Sequence, residues 1–126
     1  MEKKFYRCKT CNNILGAIND SGVTPVCCGR QMEILTANST DAATEKHVPV
    51  ITRDGSTVAV KVGSVAHPMT EDHLIQWIIL TQGSLTKRVV LSPGAAPEAV
   101  FTALDASAPV QVYEYCNLHG LWSVVG

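Results

Sequence analysis

Val48-Pro49-Val50-Ile51-Thr52-Arg53-Asp54-Gly55-Ser56-Thr57-Val58-Ala59-Val60-Lys61-Val62 is the stretch that decides the fold. Val58, Val60 and Val62 alternate with Ala59 and Lys61, so one face of an extended segment is apolar, the period-two signature of a half-buried strand. A β-branched run precedes it, and Asp54-Gly55 between the two is a hairpin signal. Outward from this hairpin, further apolar or β-rich runs occupy 74–81, 88–91, 99–104 and 110–115. Gln82-Gly83-Ser84, Ser92-Pro93-Gly94 and Ser107-Ala108-Pro109 separate them as turns. Short strands at this spacing predict an antiparallel sandwich or barrel rather than a parallel α/β sheet. Beyond a weak helical turn within 41–46, no amphipathic helix is signalled. There is no glycine-rich phosphate loop, no Gly-x-Ser-x-Gly and no paired-carboxylate arrangement.

Composition narrows the function classes. The chain has 126 residues, 46% of them hydrophobic, enough for one ordinary domain or two small ones. Its formal net charge is −1 and its ten basic residues are scattered, which argues against a nucleic-acid protein with a basic face. The charged start Met1-Glu2-Lys3-Lys4-Phe5-Tyr6-Arg7-Cys8 has no apolar run after it, so no signal peptide is expected. The longest apolar stretch, 74–80, is broken by Gln76 and is too short to span a bilayer. A soluble cytoplasmic protein without membrane or nucleic-acid partners is the expectation.

Five cysteines are present, four of them in Cys8-x-x-Cys11 and the adjacent pair Cys27-Cys28. In a reducing compartment such a cluster reads as a metal site rather than as two disulfides, because four thiolates suit a tetrahedral ion. Asn12-Asn13 and Gly29 supply the small-residue turns that follow each pair. The first 36 residues are too few to build a sufficient core, so metal binding would supply much of their folding free energy. Phe5, Tyr6, Ile14, Leu15, Ile18, Val23, Val26, Met32 and Ile34 are the residues available to cover the metal. The small, polar run Thr36-Ala37-Asn38-Ser39-Thr40-Asp41-Ala42-Ala43-Thr44 then reads as a connector.

The fifth cysteine lies in Cys116-Asn117-Leu118-His119-Gly120-Leu121-Trp122. Alone, Cys-x-x-His is compatible with a redox thiol, half of a zinc site, or coincidence. The four histidines, however, all fall beside strand ends on this map: His47 before the first strand, His67 in a loop, His73 opening a strand, and His119 after the last. Each by itself is ordinarily a surface or hydrogen-bonded residue. Because connections at one end of a sandwich cluster in space, the four together with Cys116 mark a candidate second metal site without establishing it.

These motifs together resemble the desulfoferrodoxins, the two-iron class of superoxide reductases, over essentially the whole chain. The resemblance is carried by Cys8-x-x-Cys11 with Cys27-Cys28, by Glu45-Lys46-His47-Val48-Pro49-Val50, by Val62-Gly63-Ser64-Val65-Ala66-His67-Pro68-Met69, by His73, and by the Cys116–His119 motif. It implies an all-β protein: a desulforedoxin-like domain at 1–36, a linker at 37–44, and an immunoglobulin-like seven-stranded antiparallel sandwich at 45–126. Two mononuclear non-haem irons per chain are implied. One is held by Cys8, Cys11, Cys27 and Cys28. The catalytic one takes His47, His67, His73 and His119 in its equatorial plane and Cys116 as axial thiolate. The implied activity is one-electron reduction of superoxide to hydrogen peroxide, a detoxification under oxidative stress, with rubredoxin or a similar donor returning the electron. A homodimer is the family expectation.

The residue types suit that chemistry. Five protein ligands exceed the four of a closed zinc site and leave one position on an octahedral ion. An axial thiolate pushes electron density through the metal, as in some haem enzymes. By resemblance Lys46 lies near the open position, where it would attract an anion and help protonate or hydrogen-bond the peroxide product. Glu45 matches the carboxylate that occupies the vacancy in the oxidised resting state. Two departures stand out: Asn12 where relatives often have glycine, and Thr70-Glu71-Asp72-His73-Leu74, which is poorer in lysine than the pattern. The competing readings are a zinc-stapled β-sandwich binding module, which leaves Cys116 and the histidines unexplained, and a two-iron electron carrier with saturated centres.

Overall fold

A computed structural model describes residues 3–126, and the charged start read at Met1 and Glu2 lies outside them. The chain divides into two compact units, the first ending at Thr36 and the second comprising Ala37–Gly126. Nearly every regular element is a strand, and none of the described helices is long and apolar enough to cross a membrane.

In the second unit, the decisive stretch forms β6 (Pro49–Asp54) and β7 (Thr57–Val62), paired antiparallel from Pro49↔Val62 to Asp54↔Thr57. The two-residue loop is Gly55-Ser56, one position later than the Asp54-Gly55 centre expected. Asp54 closes the ladder, and Gly55 takes the left-handed φ of 57° that such a turn needs at its first central residue. This register sends Val58, Val60 and Val62 inward with no exposure. Each buried valine contributes roughly 1.5–3 kcal/mol, and a slip by one residue would turn all three to solvent. Pro49 is tolerated because β6 is an edge strand.

β10 (Glu98–Thr102) pairs with the other side of β7, giving the order β10-β7-β6. Opposite lies a four-stranded sheet ordered β12-β11-β8-β9, from β8 (Ile75–Gln82), β9 (Leu85–Val90), β11 (Gln111–Cys116) and β12 (Gly120–Val125). The unit is thus an antiparallel sandwich of seven strands among the described residues. Val58, Val60, Ile75, Ile78, Leu80, Phe101, Val110 and Val112 fill the space between the sheets.

The final strand, β12, is a correction: His119 does not follow the last strand but sits in the turn before it. Gly120, at φ 81°, is the left-handed residue that a three-residue hairpin loop requires after Asn117-Leu118-His119. The sequence does carry that signal, a glycine followed by Leu121-Trp122-Ser123-Val124-Val125, but it lies behind the metal-like motif. Asn38 is tied to this strand, its amide donating to the Ser123 carbonyl and its side-chain oxygen accepting from the Ser123 N–H.

Antiparallel pairing decides where the chemistry sits. The start of β6 and the end of β7 share one end of the first sheet. The start of β8, the end of β11 and the start of β12 share one end of the second. A helical turn, α1 (Thr44–His47), enters β6 at that end, at the position where a weak turn was expected. At the opposite end, Gln82 and Arg53 clasp the carbonyls of Asp105 and Ala108.

One core residue breaks the apolar pattern. Glu114 has no exposure, shares its face with Val112 and Cys116, and lies across from Ile78 and Trp122. Neither carboxyl oxygen has a hydrogen-bond partner among the described residues, and burial pushes its pKa well above the ordinary carboxylate value. A buried polar group left unsatisfied costs about 1–3 kcal/mol. Glu114→Met is therefore expected to raise the urea midpoint of unfolding with an unchanged slope. A lowered midpoint would contradict this account.

The first unit is a different kind of structure. β1 (Phe5–Arg7) pairs with β2 (Ile14–Gly16) and with β5 (Glu33–Ile34), while β3 (Val26–Cys27) and β4 (Arg30–Gln31) form a separate hairpin. Its buried cluster is Tyr6, Cys8 and Met32, with Phe5 also buried. Leu15, Ile18, Val23, Val26 and Ile34, expected to cover the metal, face outward instead. Strands of two and three residues form no second layer for those side chains to meet. With so little apolar surface removed from water, this unit depends on something other than a core.

Candidate metal centres

Two clusters of ligating side chains emerge from these elements. In the first unit, the sulfurs of Cys8, Cys11, Cys27 and Cys28 all lie within 4.8 Å of one another. Cys8 directly follows β1, and a tight loop returns to it: Asn12 N–H donates to the Cys8 carbonyl at 2.8 Å, and Cys8 N–H to that of Asn13 at 2.9 Å. Asn12 holds a left-handed φ of 63°, a conformation that glycine adopts freely and that asparagine tolerates better than most residues. In the β3–β4 hairpin, Cys28 and Gly29 form the two-residue loop with φ of 53° and 73°, both left-handed as a type I′ turn demands.

The four thiols are free, and Cys11 and Cys27 stand 3.7 Å apart at sulfur. That is far beyond the ~2.05 Å of a disulfide. It matches the edge of a tetrahedron of sulfurs each ~2.3 Å from a metal, about 3.8 Å. Electrostatics agree. The Cys11 N–H lowers the Cys8 pKa to about 6, whereas Cys11 and the other neighbouring thiols push Cys28 up to about 12. One sulfur ionises readily and the next must do so beside it, a conflict that a cation at the centre removes.

The second cluster lies at the shared end of the sandwich. His47, the last residue of α1, His67 from the loop after β7, His73 just before β8, and Cys116 at the end of β11 place their ligand atoms within 4.8 Å of one another. His119 joins them from the β11–β12 turn, with Nδ1 3.1 Å from His47 Nε2 and 3.8 Å from Cys116 Sγ. The imidazoles form a closed square of edge contacts. Ring centroids are 4.7 Å apart for His47–His67, 4.6 Å for His67–His73, 5.2 Å for His73–His119 and 4.9 Å for His119–His47. Interplanar angles run from 77° to 86° around it.

Hydrogen bonds fix which nitrogens face inward. His47 Nδ1 donates to the Ala43 carbonyl and His67 Nδ1 to the Pro68 carbonyl, each at 2.7 Å. Their Nε2 atoms are therefore unprotonated in the neutral ring, yet lie 3.2 Å from each other. Two lone pairs do not hold that separation unaided; two nitrogens at right angles on an ion ~2.1 Å away would be about 3.0 Å apart. His73 Nε2 is buried with no partner among the described residues. Burial lowers the pKa of His47, His67 and His73, His67 to about 4, so these rings are neutral and able to ligate. The Cys116 thiol is pushed up by burial and eased down by the backbone N–H groups of Leu118 and His119. A cation is what would ionise it here. The donor set thus fits a transition metal that accepts both imidazole and thiolate.

Around the ligands, Trp122 stacks on His47 at 5.0 Å and 27° and donates its indole N–H to the His119 carbonyl. Between Tyr115 and Cys116 the register with β8 shifts, Tyr115 facing Trp77 and Cys116 facing Ile75, a bulge of the kind that re-aims side chains beside sites. Glu45 and Lys46 are exposed on α1 next to His47. The positive charge of Lys46 bears on His47 and His73, adding to the effect of burial. Asn117, the carbonyls of Ala43 and Pro68, and Glu114 escaped the reading of the sequence, since each acts through a contact between distant segments or with the backbone.

Comparison with known proteins agrees with both clusters. A family model described as Desulfoferrodoxin matches residues 39–125. The chain is 50% identical over 123 residues to the desulfoferrodoxin of Syntrophotalea carbinolica, covering 98% of this chain and 96% of that one. It superposes on the crystal structure of the superoxide reductase from Treponema pallidum with a TM-score of 0.78 at 37% identity, covering 98% and 99% of the two chains. A one-iron superoxide reductase from Giardia intestinalis matches 65% of this chain and 97% of its own, with TM-score 0.57 and 34% identity. With a four-thiolate cluster in one unit and a histidine–cysteine cluster at the end of a seven-stranded sandwich in the other, the chain belongs to the desulfoferrodoxin family.

Proposed function

We propose that the protein is a superoxide reductase, with His47, His67, His73, His119 and Cys116 holding the catalytic iron and Cys8, Cys11, Cys27 and Cys28 a second iron. The observation that carries this reading is the closed square of four imidazoles with the Cys116 sulfur beside it. These residues would hold an iron whose chemistry, when bound, would be the one-electron reduction of superoxide to hydrogen peroxide with uptake of two protons, the electron being returned by an external donor.

The protein's own groups have distinct parts in this. Imidazole donors add no negative charge, so with Cys116 as the one thiolate an iron held here would keep a net positive charge, which favours an anionic substrate. Cys116 supplies the electron-rich sulfur. With five protein donors, an iron held here would still be able to take up a small anion such as superoxide. Lys46, exposed beside His47, draws the anion in and offers a hydrogen bond to the product. Glu45, its neighbour on α1, is the carboxylate that would reach a bound iron in the absence of substrate. A homodimer in which rubredoxin or a similar one-electron carrier reduces the chain completes the proposal, as does a domain division at 1–36, 37–44 and 45–126.

The test is anaerobic purification, metal analysis, and measurement of peroxide and oxygen formed from superoxide. About two irons per chain and peroxide without oxygen are expected, since reduction, unlike dismutation, evolves none. A zinc-only protein inert to superoxide would overturn the reading. For Lys46→Ala, the second-order rate with superoxide is expected to fall about tenfold at low ionic strength and to depend less on salt. Pulse-radiolysis rates across a salt series check this, and an unchanged rate would remove Lys46 from its assigned part.

A further inference from the structure

The imidazoles of the square are not all held in the same way. His47 and His67 are each oriented by a ring N–H bonded to a backbone carbonyl. For His73 no ring nitrogen is found bonded to a backbone carbonyl among the described residues, and its Nε2 is buried and unpartnered. What holds His73 is its backbone. Within its own turn, the Thr70 hydroxyl oxygen accepts from the His73 N–H at 3.1 Å, and the Thr70 N–H donates to the His73 carbonyl at 3.0 Å. These bonds shape the turn but do not tie it to the rest of the site.

The tie comes from Asn117, between Cys116 and His119. Its side-chain oxygen accepts from the Leu74 N–H at 3.0 Å, and its side-chain amide donates to the Asp72 carbonyl at 2.9 Å. Its own backbone N–H reaches the Leu74 carbonyl at 3.3 Å. The two side-chain bonds thus straddle His73, gripping the residue before it and the residue after it. Asn117 is half-buried, and asparagine suits this task because one short, planar amide offers both a donor and an acceptor.

We infer that Asn117 is a positioning residue that clamps the His73 segment to the Cys116–His119 loop, so that the distance between the His73 nitrogen and the Cys116 sulfur is set by one side chain. The inference rests on the reading of this cluster as an iron site. For His73, the amide does through the backbone what Ala43 and Pro68 do for the other two rings. Outer partners of this kind typically change metal retention 10–100-fold when removed.

The experiment uses the iron-loaded chain and its Asn117→Ala and Asn117→Asp variants. Iron release from the histidine–cysteine site to a chelator is timed against the four-thiolate site as internal reference, and the sulfur-to-iron absorption band of the oxidised protein is recorded. Asn117→Ala is expected to release the second iron about 10–100-fold faster, to shift the band, and to leave the four-thiolate site unchanged. Asn117→Asp keeps the acceptor for Leu74 but sets an oxygen against the Asp72 carbonyl, so it should fall between alanine and wild type. A purely architectural residue would alter stability without moving the band. Wild-type release and an unmoved band in Asn117→Ala overturn the inference, and in Asn117→Asp they do so should the alanine variant not fold. A wild-type chain that holds iron only at the four-thiolate site overturns the iron reading instead, and this inference with it.

Discussion

Cys116→Ser is expected to abolish superoxide reduction, lowering the rate more than about a hundredfold, while the sandwich stays folded. Loss of a mere outer partner of a metal ligand costs 10–100-fold, and Cys116 is assigned as a ligand itself. The residue is wholly buried at the end of β11, turned by the register shift opposite Ile75, with its sulfur 3.8 Å from His119 Nδ1. Burial pushes its thiol pKa up, and the backbone N–H groups of Leu118 and His119 only partly offset this, so a bound cation would be what ionises it. A serine hydroxyl in the same place does not ionise near neutral pH and offers no polarisable sulfur. The cost of burying that hydroxyl is about 1–3 kcal/mol, within the 5–15 kcal/mol by which a domain is ordinarily stable. The sulfur-to-iron absorption of the second site should vanish, while that of the four-thiolate site persists in the same sample. Activity within a few-fold of wild type would mean that the thiolate is not the electron-rich ligand.

Gly63→Ala should be comparably damaging for a steric reason. A Cβ at Gly63 would lie 2.7 Å from the Glu45 carbonyl oxygen, 2.9 Å from that of Val48 and 3.1 Å from the Lys46 carbonyl carbon. All three are backbone atoms of the turn that carries His47, so no side chain can swing aside. The same contact is stitched by the Val65 N–H, which donates to the Glu45 carbonyl at 2.9 Å, and by the Ser64 hydroxyl at 3.2 Å. A methyl group must therefore push the His67 loop and the His47 turn apart. Forcing extra volume into a packed contact costs about 1–3 kcal/mol, or more where backbone shifts. Displacement of reacting groups by about 1 Å costs on the order of a hundredfold in rate. The expected outcome is a lower melting temperature, weaker metal retention at the second site and activity reduced about a hundredfold, with the four-thiolate site intact. Wild-type melting and turnover would show that the loop has slack that the structure does not reveal. Gly120 offers a contrast, since its nearest obstacle is the Thr40 side-chain oxygen at 3.2 Å; there the constraint is the left-handed φ of 81°.

How far the sequence could be read depended on whether the deciding interaction was local. The β6–β7 hairpin was legible because alternation and a turn glycine are local, although the loop centre moved by one residue once Asp54 paired with Thr57. β12 was missed because five residues after a metal-like motif carry little periodic signal, and only pairing along β11 makes them a strand. The outward-facing residues of the first unit were misread because apolar character says nothing about whether a second layer exists to bury it.

The candidate centres divide in the same way. Cysteine spacing alone pointed to a four-thiolate site, because two short hairpin-like turns can bring such pairs together. The second cluster joins residues from four separate places in the chain, and no spacing rule reaches across His47, His67, His73 and the Cys116–His119 motif. Read by itself, the sequence determined which residue types were available, that one metal site lies near the start, and that the body is an antiparallel β-structure. The resemblance carried by its motifs also named the four histidines and Cys116 as one ligand set, but only the tertiary structure decided the square in which the rings stand, which ring nitrogens face inward, that Asn117 grips both sides of His73, and that an unpaired carboxyl lies beside Cys116 in the core. The physical reason is antiparallel pairing: it brings the start of one strand beside the end of another, and so gathers into one site residues that the sequence keeps far apart.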